Sequence, residues 1–288
     1  MSAPAGRIGS HSGRGLARGG RSRLQLAGAT ALVTGATGGL GGAIASALRD
    51  RGAELLLSGR RAAELASVAA PLQARTALAD LTVREDVERL GALALEAGVD
   101  VLVANAALPA SGVLPDLTDV QIDRMLDVNL RAPIMLAHAL SPALIARGRG
   151  HLVFVSSLSG KAAAPASSLY SATKFGLRGF ALALRQDLAP HGVGVSLVAP
   201  GFIRDAGMFA ASGVKLPPGA GTRTPSDVAA AVIRVIESDR AELDVAPAAL
   251  RAGAAFASLA PQLAASASRL AGSDRVSTEL ARRQRDQR

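Results

Sequence analysis

The chain has 288 residues, 49% of them hydrophobic, enough to bury one large α/β core or two small ones. It contains no cysteine, which excludes disulfides, thiolate metal ligands and a cysteine nucleophile. The net charge of +9 sits mainly at the ends: residues 1–23 carry five Arg and no acid, and residues 274–288 carry five Arg against three acids, so the middle is nearly neutral and the basic balance does not argue for a nucleic-acid-binding fold.

Residues 1–23 are Gly, Ser, Ala and Arg with little to bury, and they read as a disordered basic leader. The segment is Arg-rich and acid-poor like an organelle transit peptide, but Arg dominates Lys throughout, which fits a coding bias better; a cytoplasmic protein is expected. A basic arm that touches nucleic acid or anionic membrane is a weaker alternative. No uninterrupted apolar run approaches the length of a membrane span. Four histidines (His11, His138, His151, His191) lack ligand spacing, so no metal site is expected.

Order begins near Ala27. Ala29 to Thr34 reads as a buried strand, followed by the glycine-rich turn Gly35-Ala36-Thr37-Gly38-Gly39-Leu40-Gly41 and a helix through Arg49. Glycines in that context permit a tight strand-to-helix turn and let the backbone approach a diphosphate at the positive helix end. A second strand, Glu54 to Leu57, leads to Ser58-Gly59-Arg60-Arg61. An acid there would bind the ribose 2′-hydroxyl of NAD; Gly59 and Arg60 instead admit a 2′-phosphate, which points to NADP.

Strand and helix then alternate. A strand over 76–79 leads to Asp80-Leu81, and Thr82 to Glu85 has the pattern of a capping box opening a helix to about Ala97. Strand 100–104 runs into Asn105. Helices are predicted over 118–128 and 129–146, strands over 151–156 and 194–199, and the turn Pro200-Gly201 ends the latter. A Gly/Pro-rich loop from Arg204 to Arg223 should be mobile, presenting Met208, Phe209, Val214 and Leu216 to a substrate or to a packing partner. A helix follows Thr224-Pro225-Ser226-Asp227, and 243–245 makes a last strand. Phe256, Leu259, Leu263, Ala267 and Leu270 suggest a further amphipathic segment kinked or restarted at Pro261. The fold class is α/β, a Rossmann-type doubly wound parallel sheet in one domain over residues 27–247, with a C-terminal helical extension over 248–288.

The chemistry centres on the single tyrosine, Tyr170, with one of only three lysines, Lys174, four residues on. On a helix that spacing places phenol and ammonium on one face. A nearby cation pulls a phenol pKa down toward working pH, making a usable general acid or base. Ser157 stands thirteen residues earlier, at the end of an apolar strand.

Residues 27–246 resemble the short-chain dehydrogenase/reductase family. The glycine motif matches Gly35, Thr37, Gly39, Leu40 and Gly41; the adenine-contacting Asp matches Asp80, with Leu81 beside it; the Asn-Ala-Gly turn matches Asn105-Ala106 and departs at Ala107. The catalytic set matches Asn129, Ser157, Tyr170 and Lys174, and the Pro-Gly turn beside the nicotinamide matches Pro200-Gly201 with Ile203 following. Asp205 departs from the family's Thr, an unfavourable neighbour for phosphates unless it turns away.

The resemblance implies an NADP-dependent oxidoreductase acting on a ketone, aldehyde or secondary alcohol, and a homo-oligomer. In it Ser157 polarises the carbonyl, Tyr170 delivers the proton, Lys174 lowers the tyrosine pKa and holds the nicotinamide ribose, and Asn129 orders a water linking Lys174 to solvent. A non-catalytic NADP-binding or interaction protein on the same scaffold is the alternative. The substrate is expected to be an apolar carbonyl or secondary alcohol, although Arg204, Lys215 and Arg223 leave room for a carboxylate-bearing one.

Overall fold

The computed structural model describes residues 24–109, 112–216, 221–270 and 274–284. The basic leader and the Pro217-Pro218-Gly219 stretch of the anticipated lid lie outside the described residues. Seven parallel strands form one sheet: β1 (Thr30–Thr34), β2 (Glu54–Gly59), β3 (Arg75–Leu78), β4 (Val101–Ala104), β5 (Gly150–Val155), β6 (Val193–Pro200) and β7 (Glu242–Val245), in the order β3-β2-β1-β4-β5-β6-β7. Their apolar runs are buried because helices cover both faces. Alternation within each strand divides the core. Val33, Val101 and Val103 face α1 (Gly39–Asp50) and α8 (Pro225–Ser238), while Leu32, Leu102 and Phe154 face α3 (Arg84–Glu96), α5 (Ala132–Arg147) and α6 (Ser168–Leu188). Each such side chain contributes about 1.5–3 kcal/mol by leaving water. The remaining helices are α2 (Ala62–Leu72), α4 (Asp119–Leu126), α7 (Gly207–Ser212), α9 (Ala248–Leu259), α10 (Pro261–Leu270) and α11 (Asp274–Arg283).

Several local expectations are corrected. Thr82 caps nothing: its hydroxyl donates to Asp80 Oδ1 at 2.8 Å, and Val83 occupies the N-cap of α3 without a side-chain bond. True capping boxes stand at Thr118 with Gln121 and at Thr224 with Asp227. The helices predicted over 118–128 and 129–146 are continuous, joined by a π-turn at Asp127–Arg131. By length and composition the resulting Asp119–Arg147 run could cross a membrane, which the search for apolar runs did not anticipate. Here Leu136, Leu140 and Leu144 pack it into the core.

The described residues of the 204–223 segment also make more contacts than their glycines suggested. The segment contains α7, its ends pair through Arg204 N–H to Arg223 O at 2.9 Å and Arg223 N–H to Phe202 O at 3.0 Å, and Phe209 packs on Phe202 with ring centroids 4.9 Å apart. Pro261 restarts the chain as the first residue of α10.

One buried titratable group gives the fold a pH dependence. His151 on β5 has its Nε2 2.7 Å from Ser196 Oγ, and that hydroxyl donates to Arg240 O at 2.6 Å, so the ring must be the Nε2–H donor. Burial pulls its pKa from 6.5 down to about 4; Asp239 opposes and Arg185 adds to the effect. The unfolded chain takes up this proton near pH 6.5 whereas the folded chain refuses it. The stabilisation is therefore complete above that pH and is lost as pH falls toward 4. Going from pH 6.5 to 5 should cost about 2 kcal/mol. A urea midpoint that stays constant over this range, or a His151→Gln chain with the wild-type pH slope, would contradict this.

Candidate active site

Strand order reverses between β1 and β4, opening a crevice at the strands' C-terminal ends. Thr34 joins the two turns that enter it: its Oγ1 accepts from the N–H groups of Asn105 and Ala106, each at 3.1 Å. Asn105 Nδ2 donates back to Thr34 O at 3.0 Å. Sequence reasoning named Asn105 but missed Thr34, whose only signal was a hydroxyl at the end of an apolar strand.

The glycines form a cradle in which side chains cannot stand. At Gly35, with φ +65°, a Cβ would lie 2.8 Å from Ala106 Cα, and at Gly41 one would lie 2.2 Å from Gly35 O. The hollow beside them has about 280 Å³ and is lined by Gly35, residues 37–41, 58–61, 79–81 and 105–108. Thr37, Gly39, Leu40, Arg60, Asp80 and Leu81 thus meet as the sequence predicted. The N-terminus of α1 opens into this hollow with no acid in its first turn, which suits a dinucleotide diphosphate. Arg61 pairs with Glu64, whereas Arg60 forms no ion pair among the described residues. Asp80 Oδ1 accepts from the Thr82 N–H and hydroxyl, fixing its carboxylate at the rim.

A larger hollow of about 680 Å³ continues from this one. Ser157, at the end of β5, and Tyr170 and Lys174, on α6, line it together with Asn105, Pro200, Gly201 and Ile203. The Ser157 side chain stands near enough to the Tyr170 phenol to affect its titration. Lys174 is buried; its Nζ donates to Val155 O at 3.1 Å and lies 5.6 Å from the centre of the Tyr170 ring. Ser156 Oγ holds the Lys174 carbonyl at 3.1 Å.

The electrostatics differ from the sequence expectation. Burial pushes the Tyr170 phenol up and the neighbouring Ser157 hydroxyl opposes it, while burial pulls Lys174 down to about 8. Lys174 is itself desolvated and turned to Val155 O, so its pull on the phenol is weak in this arrangement.

Asn129 stands in the π-turn, fully buried. Its Oδ1 accepts from Leu108 N–H at 2.7 Å and its Nδ2 donates to Leu108 O at 3.0 Å. That amide therefore clamps the segment after β4, and Asn129 lines neither hollow.

Across the crevice runs a strap, residues 206–208, within the segment the sequence read as a lid; the close approach of Ala206 to Gly39 was not foreseen. A Cβ at Gly39 would fall 2.3 Å from Ala206 Cβ, and one at Gly207 would fall 3.0 Å from Leu40 Cδ1. Gly207 and Met208 border both hollows. Asp205, at φ +71°, turns outward toward Arg204 at 3.4 Å and lines neither hollow, so its charge is directed away from the cradle. Of the four lid residues named from sequence, Met208 and Phe209 line the larger hollow; Val214 and Leu216 do not.

Residues 29–215 match the family described as short chain dehydrogenase. The chain is 40% identical over 188 residues to nodulation protein G of Rhizobium sp. (strain N33), covering 64% of this chain and 76% of that protein. It is 35% identical over 228 residues to the ketoacyl reductase HetN of Nostoc sp., covering 76% and 79%. A short-chain dehydrogenase from Sphingobium yanoikuyae, solved in complex with NADPH, superposes with a TM-score of 0.72 at 26% identity, over 82% of this chain and 95% of that one. With its glycine cradle, its Ser157–Tyr170–Lys174 cluster and a family match across most of its sheet, the chain belongs to the short chain dehydrogenase family of oxidoreductases.

Proposed function

We propose that the protein is an NADP(H)-dependent oxidoreductase that interconverts a ketone or aldehyde with the corresponding alcohol. The observation that carries this reading is the meeting of Ser157, Tyr170 and Lys174 in one hollow continuous with the dinucleotide cradle. The bound nicotinamide supplies or takes up the hydride. In the reducing direction the Ser157 hydroxyl donates to the substrate oxygen and builds up positive charge where negative charge develops. Tyr170 then gives its proton to that oxygen, forming the alcohol O–H as the C–H bond forms at carbon. Its phenol, raised by burial, remains protonated and ready to donate at neutral pH. Lys174, whose pKa burial lowers to about 8, can return a proton toward the tyrosine. Asn129 acts as a positioning residue by holding Leu108 and the turn that carries Asn105.

The preference for NADP rests on Arg60, which borders the cradle beside Gly59 with no carboxylate in that turn. The NADPH complex of the Sphingobium relative is in keeping with it. Oxidation of NADPH and NADH against a panel of ketones and aldehydes tests the whole reading. NADPH should bind the more tightly, and Arg60→Ala should weaken it by about 1.5–3 kcal/mol while leaving NADH nearly unaffected. Equal dissociation constants for the two cofactors in the wild type would refute the NADP assignment.

A further inference from the structure

The larger hollow is much too long to be closed by the elements around the catalytic cluster alone. Its far side is built by α9, α10 and α11, through Leu250, Ala254, Ala257, Ala264 and Leu280. These helices lie beyond residue 215, where the family match ends. They are fastened at three places. Ser258 Oγ in α9 donates to Lys161 O at 3.0 Å, and Lys161 is itself held by Asp244 at 2.6 Å and Glu242 at 3.2 Å on β7. Arg283 Nη1 in α11 donates to Ser212 O at 3.4 Å, and Gln284 Nε2 just after it donates to Met208 O at 3.2 Å, so the end of α11 holds both ends of α7.

The chemistry of this enclosure is one-sided. Among the described residues lining it, Lys174 alone bears a formal charge, and that amine is buried against Val155 O. Arg204, Lys215 and Arg223, the cations that could have received a carboxylate, do not line it. An anion entering would be stripped of water with no cation to receive it beyond the buried Lys174. The roof side chains are mostly alanines, leaving depth over the Ser157–Tyr170 pair where larger residues would fill it.

Building on the proposed oxidoreductase function, we propose that α9–α11 form a substrate-selecting roof, and that the protein takes uncharged ketones bulky enough to reach that roof from the Ser157–Tyr170 pair. The roof alanines set the size limit and the scarcity of charge sets the exclusion of keto acids. Ala257 and Ala264 touch neither the cradle nor the catalytic cluster, so enlarging them should change which substrate fits rather than how it reacts.

The test compares dicyclohexyl ketone, cyclohexanone and laevulinate, with NADPH as reductant, in the wild type and in Ala257→Phe and Ala264→Phe. In the wild type kcat/KM should be highest for dicyclohexyl ketone and lowest for laevulinate. In each variant the ratio of kcat/KM for dicyclohexyl ketone to that for cyclohexanone should fall by roughly tenfold or more, since a phenyl ring removes the room for one flank. A ratio unchanged in both variants, or a wild type that prefers laevulinate, overturns the roof. Calorimetric binding of dicyclohexylmethanol to the NADPH-loaded protein provides a readout independent of turnover. If no ketone is reduced, the oxidoreductase reading fails. The roof is then upheld by alcohol binding that both variants weaken by about tenfold, and is overturned by binding that they do not weaken.

Discussion

Replacing Tyr170 by Phe should reduce turnover by at least roughly 100-fold, the size expected when a general acid is lost from a positioned site. The substitution deletes one oxygen and nothing else. The ring keeps its place on α6 beside Leu169 and above Lys174, so the fold and the cofactor cradle should persist. Ser157 keeps its hydroxyl in place through the bond from Ser159 N–H at 3.1 Å. The loss should therefore appear in kcat, with the dissociation constant of NADPH changed by no more than about threefold. Turnover at the wild-type level in the Phe variant would remove Tyr170 from the mechanism.

Gly41→Ala should be the most damaging single methyl group in the molecule. Its Cβ would stand 2.2 Å from Gly35 O and 2.8 Å from Ala36 Cα, and backbone atoms cannot swing aside as a side chain tip can. Either α1 must lift from β1 or the glycine turn must open. Both disturb the packing of Ile44, Ala45 and Leu48 on the sheet. We expect about 3 kcal/mol of destabilisation, which for a chain of this size lowers Tm by roughly 6–12 °C. Cofactor affinity should fall with it, because the same turn forms the cradle. Gly42→Ala is the matched control, since its Cβ would meet nothing nearer than Ala36 O at 3.7 Å. Equal melting temperatures for the two variants would show that the close approach does not constrain the turn.

Much of this architecture was legible before any coordinates. Parallel strands buried on both faces leave continuous apolar runs, and Thr30–Thr34 and Val101–Ala104 are such runs bounded by turn residues. The glycine turn was readable because only glycine tolerates those distances. Tyr170 and Lys174 were readable because both residue types are scarce in this chain.

What escaped depended on contacts distant in sequence. The roof alanines carry no chemical signature, and whether an alanine-rich helix faces a hollow or solvent is decided by what lies opposite it. Exposed Leu259 and Leu263 and chamber-facing Phe256 share one apolar pattern and meet different surroundings. The π-turn at Asp127–Arg131 was hidden for a related reason, since a single extra residue in a helix leaves the apolar periodicity nearly intact. The strap of Ala206 over Gly39 joins positions 167 residues apart, and neither residue announces the other.

The position of β1 inside the sheet, between β2 and β4, has a consequence for how the chain is made. β1 pairs with β2 soon after synthesis, but its other edge waits for β4, which begins 67 residues after β1 ends. At about 5–20 residues per second, a ribosome takes roughly 3–13 s to supply that partner. During that interval Ala31, Leu32 and Val33 present an open, apolar strand edge, the kind of template on which nascent chains associate. The switch point that later receives the dinucleotide is thus also the last seam of the N-terminal half to close, and the stretch of synthesis between Thr34 and Val101 is where a chaperone would matter most to this protein.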